Sequence, residues 1–172
     1  MAQNTKIIVT DIKTPEQRSR NMAAIKGKDT KPEMIVRKYL FSRGLRFRIQ
    51  VRKLPGTPDL VLPKYKTAIF VNGCFWHGHE GCKYFRLPKS NVEFWKEKIE
   101  RNIERDKESM HALPDLGWKV IRVWECELRN KANREKTLNK IYTNITSPDG
   151  SGYSFEETDV PMAAEPEADY SR

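Results

Sequence analysis

Pro58-Asp59-Leu60-Val61-Leu62 and, five residues on, Thr67-Ala68-Ile69-Phe70-Val71-Asn72-Gly73-Cys74-Phe75-Trp76-His77-Gly78-His79-Glu80-Gly81-Cys82 are the stretch on which the fold turns. Asp59-Leu60-Val61-Leu62 follows a Pro-Gly-Thr-Pro turn. Residues 67–71 are continuously apolar, the pattern of a central strand covered on both faces. The chemistry changes abruptly at Asn72, where a loop rich in Gly, His and Cys begins and runs to residue 90.

Outward from that stretch the elements alternate. Leu45–Val51 (LRFRIQV) alternates apolar with polar residues, as a half-buried strand does. Before it, Thr14-Pro15-Glu16-Gln17 reads as a helix start, with Thr as N-cap and Pro in the first position; that helix is predicted to reach about Lys26 and end at Gly27. Thr30-Lys31-Pro32-Glu33 is a second capping box; its helix carries Ile35, Tyr39 and Val36, Leu40 at spacing four and stops near Gly44. After the loop come a long charged helix over 91–113, a strand over Trp118–Trp124 and a short helix over 133–143. The order α-α-β-β-β-α-β-α predicts an α/β domain, a mixed central sheet flanked by helices. Residues 1–13 read as an N-terminal arm, 14–145 as the domain, and 146–172 as a disordered tail of Ser, Pro, Gly and acids.

The 172 residues suffice for one domain with a real core. Net charge is +9, but residues 147–172 hold seven acids and one base, so that segment is −6 and residues 1–146 carry +15. So large an excess fits a polyanionic partner, because Lys and Arg that neutralise phosphates release condensed counterions. No apolar run approaches the roughly 20 residues that span a bilayer. The start, MAQNTKIIVTDIKTPEQ, has no signal-peptide pattern, so a cytosolic protein without membrane association is expected. The three cysteines, Cys74, Cys82 and Cys126, are an odd number, which argues against a disulfide framework and leaves metal binding or burial.

Asp59 opens a strand directly after a turn, where a carboxylate can hold a hard divalent cation through oxygen. The spacing to the next strand resembles the PD-(D/E)xK nuclease core, in which an acid and a lysine lie two apart on that strand. Those positions are Phe70 and Asn72 here, so the generic signature is broken. Cys74, His79, Cys82 and Cys126 form a Cys3His set, C-x4-H-x2-C plus a cysteine after the last strand, which suits a closed structural zinc site. Slack around Gly81 leaves His77 as the competing fourth ligand on spacing alone.

The segment Asn72–Cys82 is similar to the hallmark of the very-short-patch-repair (Vsr) mismatch endonucleases, a Gly-Cys-Phe-Trp-His stretch shortly followed by His and Cys. Four further pieces match in order: Arg18-Ser19-Arg20-Asn21-Met22; Leu54-Pro55-Gly56-Thr57-Pro58-Asp59; Phe94-Trp95 with Asn102 and Arg105-Asp106; and Leu116-Gly117-Trp118 through Val123-Trp124-Glu125-Cys126. Together they cover roughly residues 15–143. The family lacks the ordinary acid-x-Lys pair, in agreement with the broken signature. The resemblance implies a restriction-endonuclease-like core that nicks one strand of duplex DNA beside a T:G mismatch.

On that resemblance Asp59 is the central Mg2+ ligand, with the Val71 carbonyl near the metal, and His77 is the general base or positions the attacking water. Glu33 is an accessory acid, alongside its capping-box role. His79 rather than His77 completes the zinc site. Asn72 stands where some members carry a second histidine; it can donate a hydrogen bond but cannot take a proton. Phe75 and Trp76 are a wedge beside the mismatch, and Met22 wedges from the opposite groove, although ordinary core packing is the plainer reading of Met22 from the sequence. Two adjacent aromatics on a polar loop cannot both face one core, so exposure of at least one is expected. Asn102 and Arg105 are candidate phosphate or base contacts. The implied partners are mismatched double-stranded DNA and mismatch-repair proteins, for a monomer in the bacterial cytosol or nucleoid. A restriction-like nuclease directed by sequence is the alternative. A zinc DNA-binding module without activity is disfavoured by Asp59 and His77, which a pure binder does not need.

Overall fold

The structure, a computed structural model, describes residues 14–24 and 27–147. The expected arm (1–13) and all but the first two residues of the expected tail lie outside the described residues. Residues up to Thr30 and residues from Lys31 onward form two units.

In the first unit, helix α1 (Pro15–Ala23) is started by a reciprocal capping box. The Gln17 N–H donates to Thr14 Oγ1 at 3.3 Å and the Thr14 N–H to Gln17 Oε1 at 3.0 Å. The helix stops at Ala23, before the expected Lys26. Met22 is 37% exposed. This contradicts the core-packing reading.

The second unit has α2 (Lys31–Ser42), β1 (Arg48–Ile49), β2 (Leu60–Leu62), a 3-10 turn (Pro63–Tyr65), β3 (Thr67–Asn72), α3 (Val92–Asp115), β4 (Lys119–Trp124), α4 (Glu125–Arg129) and α5 (Lys131–Thr146). The sheet order is β1-β2-β3-β4; the first two pairings are antiparallel and β3·β4 is parallel. This is the mixed sheet flanked by helices that the pattern implied.

The continuous burial of β3 follows from its two faces. On one side Ile69 and Val71 join Leu60 and Leu62 of β2, Ile121 and Val123 of β4, Val36 and Leu40 of α2, Leu128 of α4, and Leu138, Ile141 and Ile145 of α5. On the other, Ala68 and Phe70 pack on Met110 and Leu113 of α3. Burying each such side chain stabilises the fold by about 1.5–3 kcal/mol before conformational entropy is counted.

Three expectations are corrected. The strand expected over Leu45–Val51 pairs only at Arg48–Ile49, because Gln50 turns out of the extended region with φ 48°. One helix was expected over 133–143. Two are found, α4 directly after β4 and α5 from Lys131. Asn130 caps α5 by accepting from the Ala132 N–H at 2.9 Å. Finally, α5 runs through Thr146, one residue into the expected tail.

Candidate active site and metal centre

The loop after β3 curls back on itself. The His77 N–H donates to the Gly73 carbonyl at 3.2 Å, His79 N–H to Cys74 at 2.9 Å and Cys82 N–H to His79 at 3.3 Å. Gly78 lies on α3 with φ +61°, and a Cβ there would sit 2.6 Å from Ile103 Cδ1. Only glycine fits both the backbone and the space. This tight path sorts the loop's side chains three ways.

One set points to the end of β4. Cys74, His79, Cys82 and Cys126 bring their ligand atoms within 4.8 Å of one another. Four ligands on one zinc at about 2.0–2.3 Å lie up to roughly 3.8 Å apart, so the set needs only a small contraction to close on an ion. His79 Nδ1 is 3.5 Å from Cys126 Sγ. Its ring stacks on Trp124 at 4.0 Å between centroids. Burial, then the Arg122 charge, lower the His79 pKa, favouring the neutral imidazole that a ligand must be. Burial pushes the Cys74 thiol up to about 12. Three adjacent thiols cannot all ionise without a cation, which a bound metal would supply.

The second set points to α3. His77 Nδ1 lies 2.5 Å from Asp106 Oδ2. Asn72, buried, donates to the same oxygen at 3.2 Å. Nearby, Asp59 Oδ2 accepts the Val71 N–H at 2.7 Å, which ties the turn before β2 to β3. Burial raises Asp59 to about 6; the Val71 N–H opposes this, Glu33 adds to it, and Arg37 and His77 pull it back down. Glu33 is itself buried, 2.7 Å from Arg37 one helical turn along α2. Asp59, Glu33, Arg37, His77, Asp106 and Asn72 therefore form one polar cluster. A half-buried carboxylate with a second acid close by suits a hard divalent ion bound through oxygen.

The turn that delivers Asp59 is strained. The Thr57 N–H closes it on Leu54 at 3.1 Å around Pro55-Gly56. Thr57 adopts φ 50°, uncommon for a β-branched residue. A Cβ on Gly56 would lie 2.6 Å from Ser109 Cβ of α3, so this turn rests on the helix that carries Asp106.

The third set is aromatic. Phe75 and Trp76 are both half-buried, edge to face at 5.1 Å, and each meets Trp95, at 5.4 and 5.9 Å. The exposure expected for one of them belongs instead to Phe94, 54% exposed and packed on Trp95. Two neighbouring aromatics share one cluster because the loop is helically wound rather than extended. Asn102 Nδ2 donates to the Trp76 carbonyl at 2.9 Å and its amide oxygen accepts from the exposed Arg105.

Sequence reasoning gave no role to Asp106, Arg37 or Trp95. The first had a signal. Trp95, Ile99, Asn102, Asp106, Met110 and Leu113 recur at three- and four-residue steps along α3. Asn102 and Asp106 are thus polar interruptions of an inward-facing stripe.

A family model described as "DNA mismatch endonuclease Vsr" matches residues 10–83. The chain is 50% identical over 137 residues to "Type II nicking enzyme V.NmeAIP" of Neisseria meningitidis serogroup A, covering 80% of this chain and 97% of that one. It is 46% identical over 133 residues to "Type II nicking enzyme V.XorIIP" of Xanthomonas oryzae pv. oryzae, covering 77% and 97%. It is 44% identical over 135 residues to "DNA mismatch endonuclease Vsr" of Escherichia coli, covering 78% and 84%. Identity at this level over nearly the whole length of the relatives, joined to the polar cluster and the Cys/His set, makes the chain a DNA endonuclease that belongs to the Vsr family.

Proposed function

We propose that this enzyme nicks one strand of duplex DNA beside a T:G mismatch, the pair left when 5-methylcytosine deaminates. Asp59 would hold Mg2+ with the Val71 carbonyl beside it and Glu33 as an accessory acid, and Cys74, His79, Cys82 and Cys126 would hold a structural Zn2+. When bound, the magnesium polarises the scissile phosphate and stabilises the leaving oxygen.

The observation that carries the reading is the 2.5 Å His77–Asp106 pair beside Asp59. A carboxylate can only accept here, so Nδ1 carries the ring proton and Nε2 is left as a lone-pair base. His77 then takes the proton of the attacking water, with Asp106 steadying the imidazolium that forms. Asn72 shares the Asp106 oxygen and orients it without exchanging a proton. Phe75 and Trp76 unstack the mismatched step, which costs least where pairing is already poor; the exposed Met22 of α1 is a further wedge residue. Asn102 fixes the Trp76 backbone and Arg105 meets phosphate or base. We assign the enzyme to the bacterial cytosol as a monomer acting on mismatched DNA, with mismatch-repair proteins as further partners. No helix among the described residues is long and apolar enough to cross a membrane.

The test is strand-resolved cleavage of matched and T:G-containing duplexes with and without magnesium. A nick on one strand of the mismatched duplex alone, requiring magnesium, is expected. Equal cleavage of a matched site favours the second reading, cutting directed by sequence.

A further inference from the structure

From Met34 to Pro58 the chain contains no Asp or Glu, yet it carries Arg37, Lys38, Arg43, Arg46, Arg48, Arg52 and Lys53. Arg37 is engaged by Glu33. Arg43 lies over the rings of Tyr39 and Tyr142, and Arg46 over Phe41. Arg48, Arg52 and Lys53 are exposed, and among the described residues no carboxylate lies within ion-pair distance of them.

Their place in the fold gives this charge a direction. Arg48 sits on β1, the edge strand, whose outer side has no neighbour in the sheet among the described residues. Ile49, the last residue of β1, pairs with Leu60, the residue that directly follows Asp59. The chain then bends at Gln50 and returns through two turns, closed by Leu54 N–H to Val51 and Thr57 N–H to Leu54, each at 3.1 Å. Arg52 and Lys53 ride on the first of these, immediately before the Asp59 turn. Charges on an edge strand also discourage edge-to-edge pairing. That task does not call for cations carried past the strand into the turns that lead to Asp59.

We propose that Arg48, Arg52 and Lys53 form a phosphate-binding ribbon that grips the DNA backbone next to the scissile position and holds the duplex in register over Asp59 without reading its sequence. This rests on the chain being a DNA endonuclease. Each phosphate neutralised steepens the dependence of log affinity on log salt by about 0.9.

The experiment measures the affinity of the full chain for matched and T:G duplexes across a salt series, for the parent, Arg48→Gln, Arg52→Gln, Lys53→Gln and the triple variant, with Lys136→Gln on α5 as control. Each single variant should flatten the slope by about 0.9 and the triple by about 2–3, with equal loss on both duplexes and no change for Lys136→Gln. An unchanged slope in the triple overturns the proposal, as does self-association of the triple with an unchanged slope, which would assign the charges to edge protection. So does an equal effect from Lys136→Gln, which would make the effect one of overall charge, and a loss confined to T:G DNA, which would make the residues mismatch readers. Because the readout is binding, a chain that fails to nick T:G duplexes undoes the mismatch reading while leaving this test standing.

Discussion

Eleven residues, Asn72 to Cys82, supply two polar centres of opposite character. The Cys/His set is built of soft donors turned toward one another at the end of the sheet, with Cys74 wholly buried. The Asp59/His77 cluster is built of oxygen and one imidazole, and it stays partly open: the His77 and Asp106 side chains are 30% and 26% exposed. A closed thiolate set contributes to folding. An open carboxylate–imidazole pair leaves room for water and a phosphate. The difference teaches that two histidines two residues apart can be assigned by what they face, His79 to the thiols and His77 to Asp106, where spacing alone left both available.

The sharpest break of that contrast is Cys126→Ser. It should release bound zinc and destabilise the fold, read by elemental analysis and thermal melting, whereas Asp59→Ala should keep zinc and structure and lose nicking. Folded Cys126→Ser with zinc retained would remove the distinction. Next, His77→Ala should cut the single-turnover nicking rate by about 10²–10⁴-fold with zinc content unchanged, while His79→Ala loses the metal; the reverse pattern would exchange their assignments. A smaller effect, on the order of 10–100-fold, is expected for Asp106→Asn, and it should come with a shifted pH–rate profile because the tautomer preference of His77 is weakened. A rate loss with an unmoved profile would reduce Asp106 to packing.

The smallest effect concerns stability. Burial raises Asp59 from 3.8 to about 6 in the folded chain. A raised carboxylate stabilises the fold below its unfolded pKa, and that contribution is lost as pH rises through about 6. With magnesium omitted, Asp59→Asn should therefore be more stable than the parent at pH 8, by about 1–2 kcal/mol after discounting for solvent screening. It should match the parent near pH 3. Equal melting temperatures at pH 8 would show that the carboxylate is not strained by burial. In the parent, added magnesium should move the acid limb of activity to lower pH, because cation and proton compete for one oxygen.

Much of this could be read from the chain. The continuous run Thr67–Val71 marked a strand covered on both faces because that signal is local; of the Cys/His set only Cys74, His79 and Cys82 lie together in the chain, and Cys126 comes 44 residues after them. The single-helix expectation near the C-terminus failed because α4 begins directly at the end of β4 with no turn residue between them, and the break at Asn130 is a lone Asx cap. The strand over Leu45–Val51 shrank because the left-handed backbone at Gln50 has no glycine to announce it. Asp106 escaped because its partner lies 29 residues away in the chain, and charged residues are ordinary on a long helix. Long-range polar pairing leaves a trace only as an interruption in an apolar stripe, which is faint in one sequence.

The register of β3 and β4 carries a consequence for the order in which the molecule assembles. Asn72 pairs with Trp124, so Cys74 and Cys126 each leave the sheet two residues beyond the same rung. Closing that span of 52 residues costs on the order of 3–4 kcal/mol in its logarithmic part, and the parallel pairing offers nothing until α3 has crossed over. Cys74, His79 and Cys82 fall within nine residues and can gather on an ion while the chain is still open. With zinc bound as proposed, Cys126 is the last ligand to arrive, and its capture is the same event as the choice of strand register. A one-residue slip of β4, which would turn its core side chains outward, would also leave the ion one ligand short. A metal bound there would thus proofread the sheet.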